Sequence, residues 1–257
     1  MVDNAGLLKE GLRKLDINGG ERVSSLLIKY IEEIELFNPA YGLVKVKDRR
    51  ELIIKHILDS LAPLNIFFNL PGKTQTVTDT DFVPGKPAVR RVADIGSGAG
   101  LPGIPLAICM SGAEFILVER MGRRAGFLHN VLAVLGLPNA RVEETEMEKL
   151  AADPSAANSF NLIVFRAWKP LNPDILKALS KILAPRGIIA AYKGRRESIE
   201  EEIAGLIKTK EEEKSSPSGN GGAISGEKHS LVNFSSEIYP LEVPFLEEER
   251  HLLLLQI

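Results

Sequence analysis

Two carboxylates and three glycines have the spacing with which α/β proteins bind a nucleotide-like ligand. Asp94 lies near the end of the short apolar segment 91–95. It is followed by glycines at every second position: Gly96, Gly98 and Gly100. Glycine permits positive φ and lets the backbone approach a ligand without a Cβ. A segment containing two prolines comes next, and a helix beginning there would present free N–H groups to the same ligand.

The glycine segment fits two kinds of cofactor. Gly98–Gly103 satisfies the dinucleotide pattern G-x-G-x-x-G, so a nicotinamide-dependent oxidoreductase is one alternative. However, Gly96 precedes that match, and the Asp94 carboxylate would repel a pyrophosphate while attracting the ammonium of a methionine group. The form D-x-G-x-G-x-G resembles motif I of class I S-adenosylmethionine-dependent methyltransferases.

A second acid supports a nucleoside ligand. Glu119 ends the apolar segment 115–119, about 20 residues after the glycines, where such sheets bind the hydroxyls of a ribose. Both candidate cofactors contain a ribose, so Glu119 does not distinguish them. Asp94 and Glu119 could also be ordinary acids at strand ends.

Strands and helices alternate around these residues. Strands are predicted at 91–95, 115–118, 140–143, 161–165 and 187–192, and helices at about 102–111, 122–136 and 172–183 and from 197. Alternation favours a doubly wound parallel sheet, and the segments 237–243 and 250–256 could form an antiparallel edge. The predicted fold is α/β, and the resemblance of the glycine segment to motif I implies the Rossmann-like class I methyltransferase type.

The chain is predicted to have two parts. Residues 1–70 have helical periodicity, with a loop at 39–47 and a third helix after the N-cap candidate Asp48, and form a helical extension. Residues 71–257 form the methyltransferase domain, entered through the Pro-, Gly- and Thr-rich stretch 71–87. The charged and Ser/Gly-rich segment 208–228 predicts a mobile surface insertion.

Composition limits the classes of function. The net charge of −2 excludes a protein that holds nucleic acid by overall charge alone, so RNA contact would need a local basic patch. One cysteine and four histidines show no metal-binding spacing. We expect no metal, no signal peptide and no membrane span, hence a cytoplasmic protein. Because no coiled-coil heptad or long exposed apolar helix face is evident, we also expect a monomer.

Five segments in order resemble one family, the 16S ribosomal RNA guanine-N7 methyltransferases, also called the glucose-inhibited division protein B family. They lie at 56–60, 94–105, 166–167, 192–194 and 249–251. The resemblance implies methylation of guanine N7 in 16S ribosomal RNA, expected at guanine 527, with naked RNA or the small ribosomal subunit as the partner. It also implies S-adenosylmethionine as the cofactor.

The resemblance implies site residues one by one. Cofactor contacts fall on Asp94, Gly96, Gly98, Leu101 and Glu119, with Met147 and Glu148 beside the adenine and Arg166 in the cofactor and target pocket. Two positions depart from the family pattern: Glu146 replaces an arginine and Gly42 an asparagine. A solvated acidic helix start at 143–148 is the alternative for the adenine segment.

Arg166 and His56 are the candidate catalytic residues. Asp59 lies one helical turn from His56, so these two side chains could instead pair with each other. Guanine N7 carries a lone pair and no proton, which fits a chain without an obvious general base. The candidate RNA contacts are Trp168, as a stacking platform, and the basic residues Lys45, Lys47, Arg49, Arg123, Arg124, Lys193, Arg195 and Arg196. A ribosome-associated binding protein without transfer activity is the alternative of a different class.

Overall fold

The computed structural model describes residues 4–17, 19–70, 91–215 and 233–257. The predicted entry segment 71–87 lies outside these ranges, as does most of the predicted insertion 208–228. Residues 208–215 continue a described helix.

Helices and strands alternate after residue 90 as predicted. The helices are α1 (Asn4–Lys14), α2 (Gly20–Tyr41), α3 (Arg49–Leu52), a π-helical stretch (Ile53–Leu58), α4 (Asp59–Leu61), α5 (Leu64–Phe68), α6 (Gly103–Cys109), α7 (Gly122–Leu135), α8 (Met147–Leu150), a 3₁₀ turn (Pro154–Ala156), α9 (Pro173–Ile182) and α10 (Arg196–Ser215). The strands are β1 (Arg91–Ile95), β2 (Glu114–Val118), β3 (Ala140–Glu143), β4 (Phe160–Arg166), β5 (Leu183–Lys193), β6 (Ser235–Pro240) and β7 (His251–Gln256).

The strands form one sheet in the order β3-β2-β1-β4-β5-β7-β6. The first five strands are parallel, while β7 runs antiparallel to both β5 and β6. The predicted mainly parallel sheet with an antiparallel edge is therefore confirmed. The chain order reverses between β1 and β4, and ligands of open α/β sheets bind outside the carboxyl ends of the strands at that point.

Helices cover both faces of the sheet. Alternate residues of a strand point to opposite faces, so Val92 packs with the N-terminal helices and α6 while Ala93 packs with α8, α9 and α10. The helices before residue 70 share one continuous apolar core with the first face. They are therefore placed to reach the carboxyl edge of the sheet.

The third N-terminal helix begins as predicted, with the Asp48 side chain accepting a hydrogen bond from Glu51 N–H at 2.8 Å. It then widens into the π-helical stretch, which carries His56 and which periodicity did not predict. Such wide turns are frequent at functional sites. One turn after His56, the Ser60 hydroxyl donates to the His56 carbonyl at 2.6 Å.

The loop predicted from Pro39 is wrong in its first residues, because α2 continues to Tyr41. Pro39 removes one backbone donor from the helix, but the last turn still closes, because Gly42 N–H donates to Asn38 O at 2.9 Å. Gly42 ends the helix at φ 60°, in the left-handed region. Glycine and asparagine are the residues that most readily adopt this conformation after a helix, so the departure at this position preserves the backbone.

Candidate active site

The glycine turn leaves β1 at the reversal point of the sheet. Gly96, Gly98 and Gly100 all have positive φ, at 68°, 61° and 91°. The N–H groups of Gly96 and Ser97 donate to Val118 O at 2.9 and 3.0 Å, which ties the turn to the end of β2. A Cβ added at Gly98 would meet only Gly96 O at 3.8 Å, so this glycine faces open space. Leu101, by contrast, is buried behind the turn.

Asp94 lies beneath the turn and is fully buried. Its Oδ2 accepts hydrogen bonds from the Ser97 hydroxyl at 2.6 Å and from Gly103 N–H at 2.9 Å. Its Oδ1 is buried and has no hydrogen-bond partner among the described residues. Burial raises the pKa of Asp94 to about 6, although the bonds from Ser97 and Gly103 act in the opposite direction. A cationic group placed at the turn would therefore favour its ionised form.

Glu119 is nearly buried at the end of β2 and orders the loops on either side of it. Its Oε2 accepts from Gly98 N–H and its Oε1 from Met121 N–H, both at 2.9 Å. A carboxylate oxygen has more than one lone pair, so each can accept a further hydrogen bond from a ligand. The predicted ribose-binding residue is thus fixed beside the glycine turn.

Two buried tyrosines connect the N-terminal helices to this edge. Tyr192 opens the segment 192–194 that carries the family resemblance, whereas Tyr30 belongs to an apolar helix face and its sequence pattern gave no sign of this contact. The Tyr30 hydroxyl donates to Ala99 O at 2.7 Å, and the Tyr192 hydroxyl donates to Ser60 O at 2.8 Å. Burial holds the pKa of both phenols well above the usual range. Both therefore stay neutral donors, one to the glycine turn and the other to α4.

Arg166 is held by three acceptors of the third N-terminal helix. Its Nη1 donates to Asp59 Oδ2 at 2.6 Å and to Lys55 O at 3.2 Å, and its Nη2 lies 3.0 Å from His56 Nδ1. Asp59 is 3% exposed and its Oδ1 also lies 3.3 Å from Arg250 Nε. His56 and Asp59 therefore do not pair with each other but share Arg166. The guanidinium keeps further N–H donors for a ligand.

His56 is an acceptor in this network. Burial, followed by the charge of Arg166, lowers the pKa of His56 to about 4. The neutral ring accepts from Arg166 through Nδ1, so its proton lies on Nε2. At neutral pH this histidine can orient Arg166 but holds no acidic proton to donate.

The opposite shifts of Asp94 and His56 predict a compensated pH dependence of stability. Native Asp94 retains its proton between the ordinary carboxyl pKa of 3.8 and a pKa of about 6, so this carboxyl lowers the free energy of unfolding as the pH rises. His56 takes up a proton on unfolding between about 4 and 6.5, so it raises that free energy over nearly the same window. Each contribution reaches roughly 3 kcal/mol.

We therefore expect the two variants to change the pH profile in opposite directions. Relative to the wild type, Asp94→Asn should gain stability as the pH rises through the window, and His56→Gln should lose it. Urea unfolding at several pH values measures both differences. Three parallel profiles would show that neither group is shifted as described.

The Trp168 ring forms one wall of the site, beside the glycine turn. The ring lies against Gly96, where an added Cβ would come within 2.5 Å of Trp168 Cδ1, and it contacts Phe165 edge to face at 5.4 Å. Lys169 Nζ lies 5.6 Å from the indole centre and 2.9 Å from Glu148 Oε1. The salt bridge from Lys169 lowers the pKa of Glu148.

The predicted adenine segment borders this wall. Met147 is buried and begins α8, whereas Glu148 is exposed. Glu146, which stands where the family pattern has arginine, lies 4.0 Å from Arg120 Nη1. A cation is thus present beside this segment, but it comes from the loop after β2.

The basic residues predicted to contact RNA differ in their exposure and in whether they form ion pairs. Lys45, Lys47 and Arg195 are exposed, and Arg124 is half-buried. The exposed Arg123 lies over the Tyr41 ring, 5.6 Å from its centre. The remaining three are ion-paired, in the pairs Arg49–Glu35, Lys193–Glu202 and Arg196–Glu200.

The described part of the chain contains neither a membrane-spanning helix nor a cluster of metal-ligating side chains. Among these residues, no helix is long and apolar enough to cross a membrane. Within the same ranges, no group of three or more His, Cys, Asp or Glu side chains is arranged to hold a metal ion.

Comparison with known proteins identifies similar sequences over nearly the full length. A family model described as "rRNA small subunit methyltransferase G" matches residues 23–222. The chain is 36% identical to the ribosomal RNA small subunit methyltransferase G of Treponema denticola, over 98% of this chain and 94% of that protein. It is 30% identical to the protein of the same name from Acinetobacter baumannii, over 97% and 96% of the two chains.

A solved structure supports the fold. An O-methyltransferase from Bacillus cereus, determined in complex with SAH, matches with a TM-score of 0.53 and 16% identity. The match covers 89% of this chain and 91% of that one. At this identity the likeness shows the methyltransferase fold alone.

Proposed function

The chain belongs to the rRNA small subunit methyltransferase G family, and we propose that it transfers a methyl group to N7 of a guanine in 16S ribosomal RNA, at guanine 527. The chain is accordingly a methyltransferase with a Rossmann-like fold. Family membership decides against the nicotinamide-dependent oxidoreductase that Gly98–Gly103 left open. The observation that carries the proposal is the meeting of the glycine turn, Glu119 and the Arg166 network at one edge of the sheet.

The residues at the turn fit S-adenosylmethionine. Gly98 faces open space at positive φ, so the backbone can lie directly against the donor. Asp94 Oδ1 is a buried acceptor without a partner in the described part of the chain, and it suits an ammonium group. Glu119 is fixed where ribose hydroxyls would donate to it, while Met147 and Glu148 border the adenine position. When bound, S-adenosylmethionine supplies a sulfonium methyl group to the nucleophile.

The protein contributes alignment to this reaction. Guanine N7 needs no deprotonation, which agrees with a His56 that is neutral and holds Arg166. Alignment of the two reactants can supply ~7–11 kcal/mol of the barrier. Arg166, fixed by three acceptors, offers its remaining N–H groups to acceptors of the target nucleotide or the cofactor. Trp168 offers an aromatic face beside it.

The target guanine has to leave an RNA helix before it can react. N7 lies in the deep, narrow major groove of A-form RNA, which side chains cannot enter, so a loop or an unstacked base is the substrate. Lys45, Lys47, Arg123, Arg124 and Arg195 are proposed to contact phosphates around it. Arg49, Lys193 and Arg196 could do so only by exchanging their carboxylate partners.

The experiment that tests the function is transfer of labelled methyl from S-adenosylmethionine. The substrates are 16S RNA and small subunits from cells that lack their own enzyme, and the labelled nucleotide is then mapped. Label in 7-methylguanosine at guanine 527 is the expected result. Label at another base would overturn the site assignment. Cofactor binding without transfer to either substrate would support the ribosome-associated binding protein instead.

The same proposal covers the cell compartment and the assembly. An enzyme acting on ribosomal RNA is proposed to work in the cytoplasm and as a monomer. Fractionation of cells and sedimentation of the purified protein are the measurements that check these two points.

A further inference from the structure

One carboxylate of α10, Glu202, contacts both β5 and the loop that follows β4. Glu202 Oε1 and Oε2 lie 2.9 and 2.6 Å from Lys193 Nζ. Glu202 Oε1 also accepts a hydrogen bond from Leu171 N–H. Lys193 ends β5, while Leu171 ends the loop 167–171 that follows β4. A single side chain therefore joins three elements at the carboxyl edge of the sheet.

The pair between Lys193 and Glu202 is not an ordinary surface ion pair. Their side chains are only 19% and 14% exposed, so each charge is largely removed from water and depends on its partner. On the same helix, the Arg196 and Glu200 side chains are both 55% exposed. Exposed pairs of that kind contribute little to stability. Compared with Glu200, Glu202 is therefore the carboxylate whose contacts have structural consequences at this edge.

The loop 167–171, which Glu202 contacts through Leu171, packs against the glycine turn through Trp168. Ala167 adopts a left-handed φ of 50°, which turns the chain sharply after β4 and points to a functional constraint. Trp168 follows and lies against Gly96. Beyond it, a cleft of about 590 Å³ opens between residues 170–173 and α10. Glu202 lines this cleft, and its contact with Leu171 bridges the two sides, while Lys193 holds it from the end of β5.

We propose that Glu202 is a positioning residue, which fixes the loop 167–171 and with it the Trp168 ring beside the glycine turn. Glu202 acts through Lys193 and Leu171 and touches no reacting atom. Its consequence for catalysis rests on the proposed function, in which Trp168 stacks on the target guanine. The effect of Glu202 on the position of Trp168 is independent of the proposed function.

Trp168 itself reports on this loop, since it is the only tryptophan in the chain. In Glu202→Ala the loop should open more often, and the acrylamide quenching constant of Trp168 should rise roughly twofold or more. Glu201→Ala is the matched control, because it removes an equal charge from the exposed neighbour on the same helix. Its quenching should equal that of the wild type.

A conservative variant separates the two contacts. Glu202→Gln keeps an oxygen that can accept from Leu171 N–H but loses the charge facing Lys193, so its quenching should lie between those of the wild type and Glu202→Ala. Methyl transfer at saturating S-adenosylmethionine should fall about tenfold in Glu202→Ala, chiefly through KM for RNA, with partial recovery in Glu202→Gln. Circular dichroism and thermal melts establish that each variant is folded.

The outcomes are distinguishable. A folded Glu202→Ala protein with wild-type quenching would overturn the proposal. If that variant does not fold, wild-type quenching in a folded Glu202→Leu protein, which has neither the charge nor the acceptor, would do the same. A wild-type protein that transfers no methyl to RNA would refute the proposed function. The quenching series would still decide the role of Glu202.

Discussion

Arg166→Ala is expected to lower kcat/KM for methyl transfer by about 10²–10³, the usual effect of removing a fixed donor from an active site. It should also destabilise the fold by roughly 3–5 kcal/mol, because Asp59 then loses its closest cation. Asp59 is almost fully buried and keeps only the longer contact to Arg250 Nε. Unfolding curves and single-turnover transfer measure the two effects separately.

Two further variants separate catalysis from stability at Arg166. Asp59→Asn breaks the same ion pair but leaves the guanidinium in place beside His56. Expressed as free energies, the loss in unfolding free energy should therefore exceed the loss in kcat/KM for methyl transfer. Arg166→Lys keeps a charge near Asp59 but loses the planar set of donors. In this variant the loss in kcat/KM, expressed as a free energy, should exceed the loss in unfolding free energy. Near wild-type transfer by a folded Arg166→Ala protein would remove Arg166 from the mechanism.

The local part of the site could be predicted from the sequence. The turn at Gly96, Gly98 and Gly100 connects β1 to α6, and Glu119 directly follows β2 beside it. These features follow from short-range physics, since alternating strands and helices bring strand ends to one edge and glycines occupy the positive-φ positions. Asp94 belongs to the same segment, but its burial beneath the turn depends on which face of β1 it occupies.

The contacts between distant segments could not be predicted. His56 and Asp59 have the spacing of a helical pair, yet both bind Arg166, which lies 110 and 107 positions further along the chain. The π-helical stretch that aims them has no simple sequence signal. Tyr30 belongs to an apolar helix face, and only packing against the sheet brings its hydroxyl to Ala99 O.

The sequence pattern of charges did not predict which basic residues are free and which are ion-paired. Lys193 lies in a basic run, 193–196, that is typical of a solvated face or an RNA contact. The fold brings Glu202 back along α10 to meet it, nine positions later. A run of like charge therefore does not reveal which of its members is paired, because the partner depends on how the following helix packs.

Alanine substitutions in a series of glycines are expected to separate backbone strain from ligand space. Gly136, Gly98 and Gly96 have φ of 59°, 61° and 68°, so each alanine should cost about 1 kcal/mol of stability from strain alone. At Gly136, after α7, a Cβ meets nothing within 4 Å. Gly136→Ala should thus show this cost with unchanged affinity for S-adenosylhomocysteine.

The two turn glycines should depart from that control in different ways. Gly98→Ala should lose similar stability, but its methyl group would point into the space proposed for the cofactor and weaken affinity at least about tenfold. Gly96→Ala should lose roughly 2–3 kcal/mol, because its Cβ would come within 2.5 Å of Trp168 Cδ1.

A double-mutant cycle tests the contact behind the larger effect. Trp168→Ala removes the ring that a methyl group at position 96 would strike, so adding Gly96→Ala to it should cost only the strain seen at Gly136. Equal costs in both backgrounds would show that Trp168 does not lie on the turn. Because S-adenosylhomocysteine affinity and chemical unfolding are measured on every protein in the series, strain, ring contact and cofactor space each change a different combination of readouts.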